Sequence, residues 1–149
     1  MVRKKTIEEY IEVIYFLENS EGSAQTGKIA SKMKVKPSSV TEMIKKLKKV
    51  GLLKHESYTG STLTPSGRKM AQELARRHKA IADFLEIIGV QRAMAEIDAC
   101  QIEHHVSSES MQRVEKFVEF ISSASCDQNW KENFRRYCED GEILACNFF

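Results

Sequence analysis

The chain has 149 residues, of which 42% are apolar and 30% are charged. This length suits one ordinary domain or two small ones, and the composition excludes a disordered or low-complexity chain. No run approaches the roughly 20 consecutive apolar residues of a membrane-spanning helix, and the N-terminus lacks the apolar stretch of a secretory signal. Because the four cysteines form no CxxC pair, we expect a protein of a reducing compartment, the cytoplasm, with no membrane partner.

The charge is distributed unevenly along the chain. The net charge is +2, but residues 1–79 carry 17 basic and 8 acidic side chains, whereas residues 80–149 carry 6 and 13. A basic half suits binding to the phosphates of a nucleic acid, and an acidic half suits cation binding or self-association. We therefore expect the two halves to have different roles.

Apolar residues at helical spacing predict three helices in the basic half. The first covers Thr6–Asn19, and the second runs from about Thr26 to Val35. The third begins at Pro37, which suits the first turn of a helix, and ends before Gly51. The second and third helices are joined by a tight turn, as in a helix-turn-helix.

A β-hairpin and further helices follow in chain order. The β-prone runs Leu52–Tyr58 and Ser61–Thr64 flank the turn dipeptide Thr59-Gly60, which predicts a wing. A long helix starts near residue 64, and three more are predicted over Ala93–Val106, Ser108–Ile121 and Asn129–Glu139. The sequence thus predicts a mainly α protein, with a winged helix-turn-helix domain over residues 1–71 joined by the long helix to a helical domain over 72–149.

The exposed face of the third helix is a candidate DNA-binding surface. A winged helix-turn-helix places this helix in the major groove, where small polar residues can approach bases and lysines can contact phosphates. A purely structural winged helix with solvated lysines is the alternative. No Arg or Asn on this helix offers a bidentate base contact, so readout would rest partly on DNA shape. The candidate residues, including one in the wing turn, are Pro37, Ser38, Ser39, Thr41, Lys45, Lys46 and Thr59.

Possible metal ligands are spread over three segments. Cys100, Glu103 and His104 have the spacing of residues that share one face of a helix. His78 lies in the apolar stripe of the long helix, and the pair Glu9 and Glu12 shares a face of the first. Each also has a structural interpretation: a hydrogen-bonded core histidine, a solvated carboxylate pair, or a buried thiol acting as a small apolar group.

Taken together, these motifs resemble the diphtheria toxin repressor and manganese transport regulator family of metal-dependent repressors. The resemblance covers roughly Ile7 to Ile121. It rests on six motifs: Glu9-Tyr10-Ile11-Glu12-x-Ile14-Tyr15, Pro37-Ser38-Ser39-Val40-Thr41-x-Met43, Leu63-Thr64-x-x-Gly67, Arg77-His78, Ile87-Ile88-Gly89 and Ile102-Glu103-His104-His105. It implies a repressor of metal homeostasis genes that binds operator DNA as a homodimer, with a metal-binding and dimerisation domain after the DNA-binding domain.

The resemblance also implies a ligand set, which falls on Glu9, Glu12, His78, Cys100, Glu103 and His104. Iron-type members have a cysteine at the position of Cys100, whereas the carboxylate pair at Glu9 and Glu12 looks like the manganese type. Because a thiolate favours softer ions, we expect Fe²⁺ to be preferred over Mn²⁺. The iron-type ancillary site needs a carboxylate where this chain has Ala82, so we do not expect that second site.

Two other interpretations start from the same residues. A winged-helix regulator could respond to an organic ligand or to thiol oxidation, with the same polar residues serving the core. An enzyme with Cys100 as nucleophile and His104 as base lacks evident oxyanion donors and an orienting group, so we expect no enzyme activity. From about residue 122 a tail carries Cys126, Cys138 and Cys146, which we interpret as buried or unpaired thiols, with a structural Zn²⁺ site or a redox role as alternatives.

Overall fold

The computed structural model describes residues 3–123 and 129–141, which form two compact units, Met1–Arg76 and Arg77–Phe149. Within the described residues the chain is mainly α-helical with one small sheet. The elements in chain order are α1 (Lys4–Glu21), α2 (Thr26–Met33), α3 (Pro37–Lys49), β1 (Leu53–Glu56), β2 (Gly60–Leu63), α4 (Pro65–Ile87), α5 (Arg92–Ile102), α6 (Ser108–Ser123) and α7 (Asn129–Asp140). None of the described helices combines the length and apolar composition needed to cross a bilayer.

The first unit is a winged helix-turn-helix built on one apolar core. Helix α1 buries Ile11 and Ile14 completely, and α2 and α3 add Ile29, Val40 and Leu47. These residues recur at three- and four-residue spacing, so each helix turns one apolar stripe inward. The predicted fold class is confirmed here, with boundaries that differ by a few residues from the expected ones.

The wing is an antiparallel pair of short strands. Strands β1 and β2 pair Leu53 with Leu63 and His55 with Ser61. Ala24, in the segment between α1 and α2, extends this ladder, because its N–H and C=O exchange hydrogen bonds with Ser61 at 2.8 and 2.9 Å. The wing is therefore anchored at its base to the body of the first unit.

Helix α4 starts at a well-capped N-terminus. The Thr64 hydroxyl accepts a hydrogen bond from the Gly67 N–H at 3.1 Å and donates one to the Gly51 carbonyl at 2.7 Å. Pro65 follows as the first helical residue, where its missing N–H leaves no unsatisfied donor. A Cβ atom on Gly67 would lie 2.1 Å from the Leu52 carbonyl oxygen, so only glycine allows this approach.

The second unit has a smaller apolar core of its own. Ile81 and Ala82 of α4 pack with Ala99 of α5 and Met111 of α6, and Phe84 meets Phe117 edge to face with ring centroids 5.8 Å apart. The prediction that one helix runs to Val106 was wrong at its end, because α5 ends at Ile102. Glu103 and His104 therefore lie in the turn that follows α5, not on its face.

Candidate metal centre

The turn after α5 is held in place by a buried arginine. Nη2 of Arg77 donates hydrogen bonds to the backbone carbonyl oxygens of Glu103 at 2.7 Å and of Val106 at 2.5 Å. These carbonyls have no intrahelical N–H to accept from once the helix has ended, so a long side chain from α4 satisfies them instead. Arg77 thus fixes the backbone that carries Glu103 and His104.

The Glu103 carboxylate is buried between two imidazoles. Its side chain is 1% exposed; Oε2 lies 3.1 Å from Nδ1 of His78, and Oε1 lies 3.5 Å from Nε2 of His104. An ionised carboxylate away from water is costly unless it is paired. The three side chains, on α4 and the α5–α6 turn, therefore form one polar cluster inside the second unit.

Both ring nitrogens of His78 face carboxylates. Besides the contact with Glu103, Nε2 lies 2.6 Å from Oε2 of Glu96. Partial burial alone would lower the pKa of His78, but the hydrogen bond with Glu96 and the charge of Glu103 outweigh it, so the pKa is raised above its usual value. In turn, the hydrogen bond from His78 contributes most to holding the pKa of Glu96 below its ordinary value.

Glu96 was missed in the sequence, although a signal for it exists. It precedes Cys100 by four residues and Glu103 by seven, a spacing that recurs on one face of a helix. Its residue type alone does not distinguish it from the other solvated acidic residues of this half of the chain. Its side chain is indeed 40% exposed, but its carboxylate also forms an ion pair with Arg92.

The remaining predicted ligands lie on α5 and α1. Cys100 is exposed on the last turn of α5, in contrast to the buried Glu103. Glu9 and Glu12 are half-buried on α1 of the first unit, where Glu9 forms an ion pair with Lys5 at 3.9 Å. Ala82 is fully buried and supplies no carboxylate.

The donor set at Glu103, His78 and His104 fits a divalent transition metal. Imidazole nitrogens suit Fe²⁺, Zn²⁺ and similar ions, and carboxylate oxygens suit Mn²⁺. The carboxylate is buried, and Arg77 fixes the backbone from which Glu103 and His104 project. A nearby thiol such as Cys100 would add a softer ligand.

The predicted DNA-binding residues lie at the exposed surface of the first unit. Pro37, Ser38 and Ser39 form the first turn of α3, and all three are exposed. Thr41 donates from its hydroxyl to the Pro37 carbonyl at 3.1 Å, and Nζ of Lys45 lies 2.9 Å from Oε1 of Glu42. Lys46 is exposed on the same helix, and Thr59 is exposed in the wing turn. Small polar groups and cations thus share one helix surface.

The tail cysteines are only partly covered by the described residues. Cys138 is exposed on α7. Cys126 and Cys146 lie outside the described residues. The interpretation of the three thiols stays a prediction.

Comparisons with known proteins match most of the chain. The family model described as "Iron dependent repressor, N-terminal DNA binding domain" matches residues 4–61, and "Iron dependent repressor, metal binding and dimerisation domain" matches residues 64–130. The HTH-type transcriptional regulator MntR of Geobacillus thermodenitrificans is 37% identical over 92% of this chain and 97% of its own length. MntR of Lysinibacillus sphaericus is 42% identical over 78% of this chain and 84% of its own length.

A solved structure of a metal regulator is also similar to this chain. The structure of the manganese regulator SloR is 31% identical, with a TM-score of 0.65 over 80% of this chain. The match covers 55% of SloR, so this chain spans about half the length of that protein.

Proposed function

Because the chain belongs to the diphtheria toxin repressor and manganese transport regulator family of metal-dependent transcription regulators, we propose which of its residues bind the metal and the operator. Its matched domains are those for DNA binding and for metal binding and dimerisation, so operator DNA and a second copy of the chain are its partners. The comparisons give no support to a sensor of organic ligands.

The proposed metal ligands are Glu9, Glu12, His78, Cys100, Glu103 and His104. The observation that carries this proposal is the buried Glu103 carboxylate, which faces one ring nitrogen of His78 and one of His104. A bound divalent cation would supply the positive charge that neutralises the carboxylates of this set. Arg77 donates a hydrogen bond to the backbone carbonyl of Glu103 and so holds the backbone from which this carboxylate projects.

The relatives and the chemistry of Cys100 favour different ions. The iron preference expected from Cys100 is not supported by the comparisons, since the similar protein SloR is a manganese regulator by name. A thiolate nevertheless softens a site that is otherwise made of carboxylates and imidazoles. We propose that Mn²⁺ and Fe²⁺ both activate the protein, and that Cys100 sets how strongly Fe²⁺ is favoured.

The DNA-binding residues proposed are Pro37, Ser38, Ser39, Thr41, Lys45, Lys46 and Thr59. Their exposure on α3 and in the wing turn supports this assignment. The small residues at the start of α3 allow close approach to base edges, and the lysines neutralise phosphates. Part of the Lys45 charge is compensated by Glu42, so Lys46 is the stronger phosphate ligand of the two.

Metal dependence would follow from where the ligands lie in the chain. Glu9 and Glu12 belong to the domain that carries α3, here taken as residues 1–71, and the other four belong to residues 72–149. If ligands from both domains share a cation, metal binding and operator binding are thermodynamically coupled. To shift the protein from a mostly inactive form to a form that mostly binds the operator, the metal must bind the operator-binding form about 10⁴-fold more tightly, which corresponds to about 5.5 kcal/mol.

The family assignment favours a regulator with no catalytic role. The named relatives are transcriptional regulators. The nearest candidate for catalysis, Cys100 with His104, combines an exposed thiol on α5 with a buried imidazole in the following turn. Since an operator-binding protein works where the DNA is, we propose a cytoplasmic location.

The proposal is tested by anaerobic titration of operator binding with single ions. A duplex recovered from a random library by selection with Mn²⁺-loaded protein serves as the probe, and binding is followed by fluorescence anisotropy with Mn²⁺, Fe²⁺, Co²⁺ or Zn²⁺. We expect Mn²⁺ and Fe²⁺ to tighten binding of the wild type and to fail with His104→Ala. If His104→Ala responds to both ions like the wild type, the proposed ligand set is wrong.

A further inference from the structure

We propose that Glu96 is a positioning residue for His78, whose carboxylate holds the ring so that Nδ1 is presented to Glu103. The inference rests on the proposed metal site and adds to it a residue outside the ligand set. It concerns only the second unit, where α4 carries His78 and α5 carries Glu96.

The two carboxylates at His78 compete for the proton of a neutral imidazole. Nε2 lies 2.6 Å from Oε2 of Glu96, and Nδ1 lies 3.1 Å from Oε2 of Glu103. A neutral imidazole has one donor and one acceptor nitrogen, and an ionised carboxylate can only accept. A ring that donates from Nε2 to Glu96 has its Nδ1 lone pair directed at Glu103. That is the tautomer required of a ligand that shares a cation with Glu103.

Glu96 is itself held by a network that belongs to the end of α4. Its second oxygen, Oε1, pairs with Nη2 of Arg92, while Nη1 of Arg92 lies 2.9 Å from Oδ1 of Asp83 and 2.9 Å from Oε2 of Glu86. The two oxygens of Glu96 are thus divided between Arg92 and His78. Because charge-assisted hydrogen bonds fix both ends of the carboxylate, its direction towards Nε2 is set before any cation binds.

The physical consequence is a pre-oriented and more basic ligand. A histidine that donates its other N–H to a carboxylate is fixed in one tautomer and binds metal more tightly. Loss of such a partner typically lowers metal affinity by about 10- to 100-fold. We expect that loss for Glu96→Ala, while Glu96→Gln retains most of the affinity because its amide oxygen accepts the same hydrogen bond.

The test uses Zn²⁺, which is diamagnetic and has a suitable affinity for imidazole. The Zn²⁺ dissociation constant is measured by competition with a chelator for the wild type, Glu96→Ala, Glu96→Gln and Glu103→Gln. The control is Asp98→Ala, which changes a nearby acid of α5. Side-chain ¹⁵N NMR of the zinc-loaded proteins reports which nitrogen of His78 carries the proton. Circular dichroism verifies that each variant is folded.

The expected result is a loss of about 10- to 100-fold in affinity for Glu96→Ala, little change for Glu96→Gln and Asp98→Ala, and a protonated Nε2 of His78 in the wild type. Wild-type affinity and wild-type ¹⁵N shifts in Glu96→Ala would overturn the inference. Equal losses in the Ala and Gln variants would also overturn it, since they would assign the effect to charge. If Glu103→Gln binds Zn²⁺ as tightly as the wild type, the proposed metal site is wrong. If Glu103→Gln loses Zn²⁺ affinity but Glu96→Ala does not, the metal site stands and only the positioning role of Glu96 is wrong.

Discussion

The carboxylate of Glu103 lies with Oε2 3.1 Å from Nδ1 of His78, although 25 positions separate the two residues in the sequence. The Glu103 side chain is 1% exposed, so it depends on protein partners or a bound cation to stabilise its charge. This contact is the structural basis for the proposed metal site, and replacing Glu103 tests that proposal.

Replacing Glu103 by glutamine keeps the shape of the side chain and removes its charge. We expect Glu103→Gln to lose the thermal stabilisation that Mn²⁺ gives the wild type, which for one site amounts to about 2.7 kcal/mol at 100 times the dissociation constant. The control is Glu109→Gln, an exposed acid in the first turn of α6. Differential scanning calorimetry with and without Mn²⁺ makes the measurement, and equal stabilisation of both variants would contradict the assignment.

Replacing Cys100 by glutamate exchanges a soft ligand for a hard one. We expect Cys100→Glu to shift the ratio of Fe²⁺ to Mn²⁺ affinities towards Mn²⁺. Anaerobic competition titrations of the two ions give this ratio. Cys138→Glu, which alters the other exposed thiol, is the control and should leave the ratio unchanged. An unaltered ratio in Cys100→Glu would remove Cys100 from the ligand set.

Removing the charge of Lys46 should weaken binding to DNA of every sequence by a similar factor. If Lys46 neutralises one phosphate, Lys46→Ala lowers the slope of log affinity against log salt by about 0.9. Lys45→Ala should have a smaller effect because Glu42 already pairs with that lysine. Salt titrations with the selected duplex and with an unrelated one measure both slopes. A loss confined to the selected duplex would instead indicate base recognition.

The close approach of Gly67 to the Leu52 carbonyl can be tested without metal or DNA. An alanine Cβ at this position would lie 2.1 Å from the Leu52 carbonyl oxygen, so we expect Gly67→Ala to lower the free energy of unfolding by about 1–3 kcal/mol. Gly27, in α2, has no atom within 4 Å of such a Cβ, and Gly27→Ala should raise stability by about 0.5–1 kcal/mol. Urea unfolding of both variants measures the difference. Equal effects would contradict the packing at Gly67.

Local sequence signals predicted most of the fold. Pro37 begins α3 and Pro65 begins α4, because each restricts the chain in the way that a first helical turn requires. The wing follows from the turn dipeptide at residues 59–60. The end of α5 could not be predicted in this way, since Arg77 draws the carbonyls of Glu103 and Val106 into hydrogen bonds from a distant part of the chain. Only the folded chain brings that donor near.

The same limit applies to the candidate metal centre. Residue types and spacing predicted His78, Glu103 and His104 as ligands, and the structure brings these three side chains together in the second unit. They did not point to Glu96, because its contacts with His78 and Arg92 depend on how α4 and α5 pack together. The family resemblance is confirmed by the comparisons. The preference for iron over manganese is not supported by them, since the similar protein SloR is named a manganese regulator.

The most direct test of metal-dependent DNA binding is the affinity of the wild-type protein for the selected duplex before and after exhaustive chelation. If chelation shifts the protein from mostly competent to about 1% competent, the dissociation constant rises by about 100-fold, and added Mn²⁺ restores it. Binding that is equally tight in excess chelator would contradict the account.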